Sequence, residues 1–319
     1  MTRLQRLPAS SLACCLALLA CRPALADESG DTQAANAGMR YVEANVQRDA
    51  RHNTAALGVL SLPVGERGWV QFGSGQTRLD VAGAARRVSV FSAATGFIGD
   101  GWNASLAANR RNGGDAWRQT DWDASVTWLG ERVGVGVDGH HRDAHGQGTT
   151  GTSLVPGDVT VEQQHLKGPG FGLHGHVHVT PAWRIYASGM HYGYKLSTQQ
   201  GGGSGGTGLL AGALQRTSAS LVSRDEAALS RSFKLGSRHQ IGTASVSTEL
   251  LADKVQDEPG TVRTLQFTAA VEPTPRWTVM PTLGQTHSKT HGGVLFGGIG
   301  VTHVDAGSWH DPIGASLSR

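Results

Sequence analysis

The stretch TDWDASVTWLGERVGVGVD, residues 120 to 138, contains two alternating segments separated by a tight turn. Side chains along a β-strand point alternately to its two faces, so an apolar residue at every second position predicts a strand with one apolar and one polar face. A glycine stands where the chain must reverse, which is typical of a hairpin. The apolar positions are Trp122, Ala124, Val126 and Trp128 before the turn and Val133, Val135 and Val137 after it.

The same alternation recurs along the chain in segments of about 9 to 11 residues, the length a tilted strand needs to cross a bilayer. Short turns follow the even strands, at 62–69, 128–133, 179–184, 234–239 and 271–277, and longer polar or glycine-rich loops follow the odd ones. The weakest strand is the tenth, where alternation breaks. The predicted strands are 39–47, 54–62, 69–79, 87–96, 102–110, 118–129, 133–141, 171–179, 183–194, 218–234, 240–250, 262–271, 277–285 and 293–304.

This pattern predicts an all-β fold, a transmembrane antiparallel up-and-down β-barrel of about 14 strands, with 12 to 16 as the range. Short turns would face the periplasm and long loops the outside. A soluble sandwich or barrel is the alternative, but its interior would need bulky apolar residues where this chain has Gly, Ser, Thr, Asn and Gln. Over residues 39 to 304 the chain resembles the bacterial outer-membrane β-barrel class in architecture, without the motifs of a particular family.

The N-terminus predicts export. Residues 1–26 have the basic start, apolar run and small residues of a secretory signal peptide. Cys21 also fits a lipoprotein processing site, as an alternative. Residues 27–38 would form a short leader, 39–304 the barrel, and 305–319 a C-terminal tail or extra strand. The chain ends without the aromatic residue that often closes such barrels, which leaves the insertion signal open.

Removing the signal peptide changes the composition. All three cysteines lie within it, so the rest of the chain has no cysteine for disulfides, thiolate metal sites or nucleophilic chemistry. Three of the 28 basic residues also lie there, which leaves 25 to balance the 25 acidic ones. The net charge therefore gives no reason to expect a nucleic-acid partner.

Tryptophans near strand ends predict an aromatic girdle at the membrane interfaces. The five residues assigned to it are Trp69, Trp102, Trp128, Trp183 and Trp277.

The stretch HGHVHV places His174, His176 and His178 on one face of a strand, with Val177 and Val179 on the other. We expect the three histidines to line the lumen and to make its charge depend on pH, since imidazole gains a proton between about pH 7 and pH 5. The first and third lie about 13 Å apart on a regular strand, so only two neighbours could chelate one ion. A metal site at His174 and His176 is the minor alternative, because the next strand offers only Tyr186, Ser188 or Met190.

Two further histidine clusters favour no specific chemistry. DGHHRDAHG, residues 138 to 146, is interpreted as a solvated loop rather than a cation site, at the start of a long loop over 142–170 that could fold into the lumen. His287 and His291 have the spacing of helical metal ligands but lie in a glycine-flanked turn without an intervening Glu.

The sequence therefore predicts a passive or weakly selective channel for small solutes in the bacterial outer membrane, with no enzymatic activity and no cofactor. Inward charges are expected to be few, at Glu43, Asp123, Asp138 and Glu249, which argues against steep ion selectivity. One alternative is a pore-occluded barrel that acts as a receptor or as the partner of a secretion or surface-assembly system. A membrane-embedded hydrolase is a lesser alternative, since spacing identifies no catalytic residues. The expected partners are outer-membrane lipid and small solutes, and the oligomeric state is open.

Overall fold

The computed structural model describes residues 40–304, apart from 51, 82–83, 115–116, 151–159, 201–228, 256–259, 275 and 290–291. The described chain forms fifteen β-strands: β1 Tyr41–Asp49, β2 Thr54–Val64, β3 Gly68–Val81, β4 Ala84–Gly99, β5 Trp102–Asn112, β6 Trp117–Leu129, β7 Val133–Thr150, β8 Thr160–Thr180, β9 Trp183–Tyr192, β10 Lys195–Gln200, β11 Leu229–Ile241, β12 Ala244–Val255, β13 Val262–Thr274, β14 Trp277–Ser288 and β15 Gly292–Val304. The predicted signal peptide, leader and C-terminal tail lie outside the described residues.

The strands form one closed antiparallel barrel. Strands consecutive in the chain pair with each other except at β10, β1 pairs with β15, and β11 pairs with β9. Strand β10 continues β9 along the same partner, β8, so the two together make one stave. The barrel therefore has 14 staves, which confirms the predicted fold class and strand number.

The two ends of the barrel differ in their connections. At one end, here called the turn end, strands are joined by turns of two or three residues at 65–67, 100–101, 130–132, 181–182 and 242–243. Tyr41 and Val304, the first and last strand residues, pair with each other at this end. The opposite end, here called the loop end, carries all the connections longer than three residues, although β3 to β4 and β14 to β15 are joined there by two and three residues. This arrangement is the one the alternation of short turns and long loops predicted.

The outer face of the barrel is apolar and the inner face is largely polar. Large apolar side chains stand exposed at every second residue of the strands, whereas the positions between them carry mostly polar or small residues. Among the described residues, no helix is long and apolar enough to cross a membrane. Exposed apolar residues include Phe72, Phe91, Leu106, Trp122, Val135, Phe171, Leu173, Phe233, Leu250, Phe267, Leu283 and Ile299.

Strands β7 and β8 extend well beyond their predicted ends. The interpretation of 142–170 as a loop was wrong, because the two strands stay paired from Val133 and Val177 up to Thr150 and Thr160. Apolar alternation stops at the edge of the apolar band, but backbone pairing does not depend on it. The described parts of this segment thus belong to the wall, as does the cluster at 138–146, and they do not fold into the lumen.

The turn predicted at 234–239 was also wrong. Strand β11 passes through it and the chain reverses at Gly242, which has a φ of 60°. Gly236 serves packing instead, since a Cβ there would lie 2.2 Å from Cζ of Tyr186. A glycine that makes room for a cross-strand ring was mistaken for a turn residue. The first part of the predicted strand 218–234 lies outside the described residues.

Candidate functional site on the inner wall

Two glycines of β7 make room for two histidines of β8. His174 lies opposite Gly136 and His176 opposite Gly134. A Cβ on Gly136 would stand 2.3 Å from Nε2 of His174, and one on Gly134 would stand 2.2 Å from Cε1 of His176. The stretches VGVGVD and HGHVHV therefore pack as a matched pair, with the histidine rings lying over the glycine backbone.

His174 is held at both ring nitrogens. Its Nδ1 lies 2.8 Å from Oδ2 of Asp138, and its Nε2 lies 2.8 Å from the hydroxyl of Thr127. Neither nitrogen points toward open space, so this geometry disfavours the His174–His176 chelate, which stays a prediction. The neighbouring strand places Ser188 beside His174 and Tyr186 beside His176, as expected.

The chain of Thr127, His174 and Asp138 has the order of groups found in hydrolase triads. Thr127, however, retains only 1% of its side-chain exposure. A nucleophile must reach its substrate, so this arrangement fits a structural hydrogen-bond network better than a catalytic site.

His176 and His178 lie on the same face of β8 as His174, opposite the exposed Val177 and Val179. Their rings meet edge to face with centroids 5.4 Å apart. Their position on the inner face is the one the sequence predicts, and a role in sensing pH stays a prediction.

A buried ion pair lies further toward the loop end. Arg142 binds Asp121 with two hydrogen bonds, from Nε to Oδ1 at 2.8 Å and from Nη2 to Oδ2 at 3.1 Å. Gln119 donates to the same carboxylate, and Arg111 approaches it to 4.0 Å. The Arg142 guanidinium also lies 5.5 Å from the centre of the Tyr194 ring. Sequence reasoning missed this network because it placed Arg142 in a loop. Every second residue from Gly134 to Arg142 nevertheless lies on the inner face, so the alternation reaches Arg142.

A second acid–base pair lies beside this network. Nδ1 of His140 is 2.6 Å from Oδ1 of Asp123, and Asn109 donates to the other carboxylate oxygen at 3.3 Å. The rings of Tyr192 and Tyr194 meet the His140 ring at their edges. The histidine is therefore enclosed between a carboxylate and two aromatic rings.

The charged lining continues across β9, β11 and β12. The Tyr186 hydroxyl donates to Oε1 of Glu249 at 2.6 Å, and Nζ of Lys234 lies 4.0 Å from that oxygen and 5.6 Å from the centre of the Tyr186 ring. These contacts join three staves through side chains that point inward.

Charged residues are unevenly distributed around the inner wall. The described inner positions of β13, β14 and β15 carry hydroxyl, amide, glycine and apolar residues, and hydroxyls bond across strands, as between Thr264 and Thr286 at 3.0 Å. The expectation of few inward charges was wrong, because buried Arg111, Arg142 and Lys234 join the acids on β5 to β12. Most of these charges lie in paired networks, which their separation in sequence concealed.

Four of the five predicted girdle tryptophans lie exposed on the outer face at the turn end: Trp102, Trp128, Trp183 and Trp277. Trp102 and Trp128 are cross-strand partners. The assignment of Trp69 to the girdle was wrong. It is only 6% exposed and packs on the inner face against Ala94 and Ala107, with its indole over Gly96. Its odd spacing from the exposed Phe72 on the same strand is the signal that places it inside.

Asp143, His145 and His165 form a cluster on the outer face, beyond the apolar band. Nε2 of each histidine lies 2.9 Å from Oδ1 of Asp143, and the two rings stack with centroids 4.0 Å apart.

This cluster has donor atoms close enough together to hold a metal ion. Lys167 already occupies Oδ2 of Asp143 at 3.4 Å, and Arg118 lies directly opposite His145. These two cations oppose the approach of a third.

Comparisons with known proteins bear on the fold alone. No family model matches the sequence, and no curated protein matches it. Among solved structures, the CymD monoaromatic hydrocarbon channel is similar with a TM-score of 0.53 and 8% identity, over 83% of this chain and 88% of that one. A KdgM porin gives a TM-score of 0.41 at 10% identity, over 85% and 99% of the two chains. A bacterial polysaccharide outer membrane secretin gives 0.45 at 12% identity, over 83% and 98%.

The chain thus has the architecture of the bacterial outer-membrane β-barrels, and its resemblance to that class is one of fold.

Proposed function

We propose that this protein is a passive outer-membrane channel for small polar solutes. The observation that carries the proposal is the closed barrel with an apolar outer face and a polar, partly charged inner face. Such a barrel is stable in lipid because every strand is paired and the exposed side chains match the acyl chains.

The size of the barrel supports passage. Barrels of 8 strands can be filled by their own side chains, whereas 14 staves enclose a wider interior. The name of the CymD structure describes a channel for monoaromatic hydrocarbons, but the inner wall here favours polar solutes. Acids and bases of this wall neutralise each other, as Asp121 and Arg142 do, so selectivity between ions should be modest.

The proposal includes location and partners. The barrel would lie in the outer membrane with its turn end in the periplasm, in contact with lipid and small solutes and without a nucleic-acid partner or a catalytic step. A receptor or assembly partner with a closed lumen is the rival function.

The test is single-channel conductance of the purified, folded protein in a planar bilayer. Discrete conductance steps are expected. Silence from protein whose folding is verified by its heat-dependent gel mobility would overturn the channel and favour the occluded receptor or assembly partner. Ester hydrolysis that Thr127→Val abolishes without unfolding the barrel would instead establish the hydrolase.

A further inference from the structure

A ring of positive charge surrounds the outer face just beyond the apolar band at the loop end. We call this ring the cationic belt. Each member except Lys195 lies an even number of residues from an exposed apolar residue of the same strand, so its side chain points outward, as Arg78 does with Phe72 and Arg231 with Phe233. Lys195 pairs in register with Lys167 and therefore shares its face. The lysines and arginines of the belt are Arg48, Arg78, Arg87, Arg110, Arg118, Lys167, Lys195, Arg231, Lys254 and Arg263.

Several members lie directly opposite one another. Arg78 pairs in register with Arg87, and Lys167 with Lys195. On β11, Arg231 lies between His191 of β9 and Lys254 of β12. Like charges directly opposite across two strands destabilise a sheet, so this arrangement calls for an anionic partner.

The described side chains on the outer face of the loop end supply little of that negative charge. Asp143 is the only acidic residue among the described outer-face side chains of this end, and Lys167 and two histidines already surround it. Four acids of the strands, Asp121, Asp123, Asp138 and Glu249, point into the barrel.

The turn end carries no such bias. Its turns bear both signs, with Glu66, Asp100, Glu131, Arg67 and Arg132 exposed, and Arg67 forms an ion pair with Asp100 at 3.0 Å. If the charged residues served only to keep the protein soluble, both ends would carry the same mixture of acidic and basic residues. The asymmetry instead matches a bilayer with one strongly anionic leaflet at the loop end.

We propose that the cationic belt binds the phosphate groups of a phosphorylated glycolipid whose acyl chains pack on the apolar band. Residues opposite each other in register have Cα atoms about 5 Å apart, so the guanidinium groups of Arg78 and Arg87 can share one phosphate. The glycolipid would lie along the wall with its head at the belt and its chains beside residues such as Phe72 and Phe91. The inference rests on the outer-membrane location proposed above and not on an open lumen.

The experiment measures binding of bisphosphorylated lipid A to the detergent-purified barrel by native mass spectrometry, with the unfolding temperature as a second readout. The belt variant is Arg78→Gln with Arg87→Gln. Its matched control is Arg132→Gln with Arg276→Gln, which removes the same charge from exposed turn-end residues.

The belt variant should bind lipid A at least about tenfold more weakly than the control, as expected for the loss of charge-assisted bonds to phosphate. Lipid A should raise the unfolding temperature of the control more than that of the variant. Equal affinity for both variants would overturn the proposal. So would equally tight binding of phosphatidylglycerol, which would indicate a general response to charge.

Conductance separates this inference from the proposed function. The belt lies outside the lumen, so the belt variant should conduct as the control does. A barrel that binds lipid A through the belt but never conducts would refute the channel and leave the glycolipid site standing.

Discussion

Nδ1 of His174 on β8 lies 2.8 Å from Oδ2 of Asp138 on β7, and this contact fixes the imidazole over the backbone of Gly136. Residues 36 positions apart thereby form one unit of the inner wall. The imidazole of His174 has room there because position 136 is a glycine.

Replacing that glycine should therefore disturb the wall. A Cβ in Gly136→Ala would lie 2.3 Å from Nε2 of His174 and 2.5 Å from the carbonyl oxygen of Val126, which is backbone and cannot move aside easily. We expect a loss of about 1–3 kcal/mol in the free energy of unfolding, measured by urea titration in lipid. Gly139→Ala on the same strand is the control, since a Cβ there meets nothing within 4 Å. Equal stability of the two variants would contradict this packing.

The buried pair of Asp121 and Arg142 should be costly to break. Asp121→Asn leaves the guanidinium without its charged partner, and removal of one member of a buried pair costs about 3–5 kcal/mol. The same urea titration measures the loss. In the control, Asp100→Asn removes the exposed partner of Arg67 and should cost at most about 1 kcal/mol. A small effect at Asp121 would mean that water reaches the pair.

In a lipid bilayer, the tryptophans of the outer face should contact acyl chains and the buried Trp69 should not. Brominated phospholipids quench fluorescence only at short range, so they should quench Trp128, which is 52% exposed on the outer face, and spare the buried Trp69. Trp128→Phe should thus reduce the quenched fraction of total emission, whereas Trp69→Phe should increase it. The opposite result would place Trp69 in contact with lipid.

The sequence alone determined the alternation of strand faces, the rhythm of short turns and long loops, and hence the barrel with its 14 staves. These features are local. The direction of a side chain follows from whether its position along the strand is odd or even, and a turn depends only on the few residues that form it. Parity also placed His174, His176 and His178 on one face. The same rule, applied to Phe72, assigns Trp69 to the inside.

Only the tertiary structure decided which residues meet. Register between strands set Asp121 against Arg142 and gave Gly236 the ring of Tyr186 as its neighbour, and neither relation is encoded at short range. The ends of β7 and β8 were also beyond local reasoning. Past the apolar band, strand pairing continues through backbone hydrogen bonds while the side chains lose the alternation of apolar and polar residues that marks a strand in sequence. The cationic belt became visible for the same reason, since closing the barrel brings scattered basic residues of many strands to one level of its outer face.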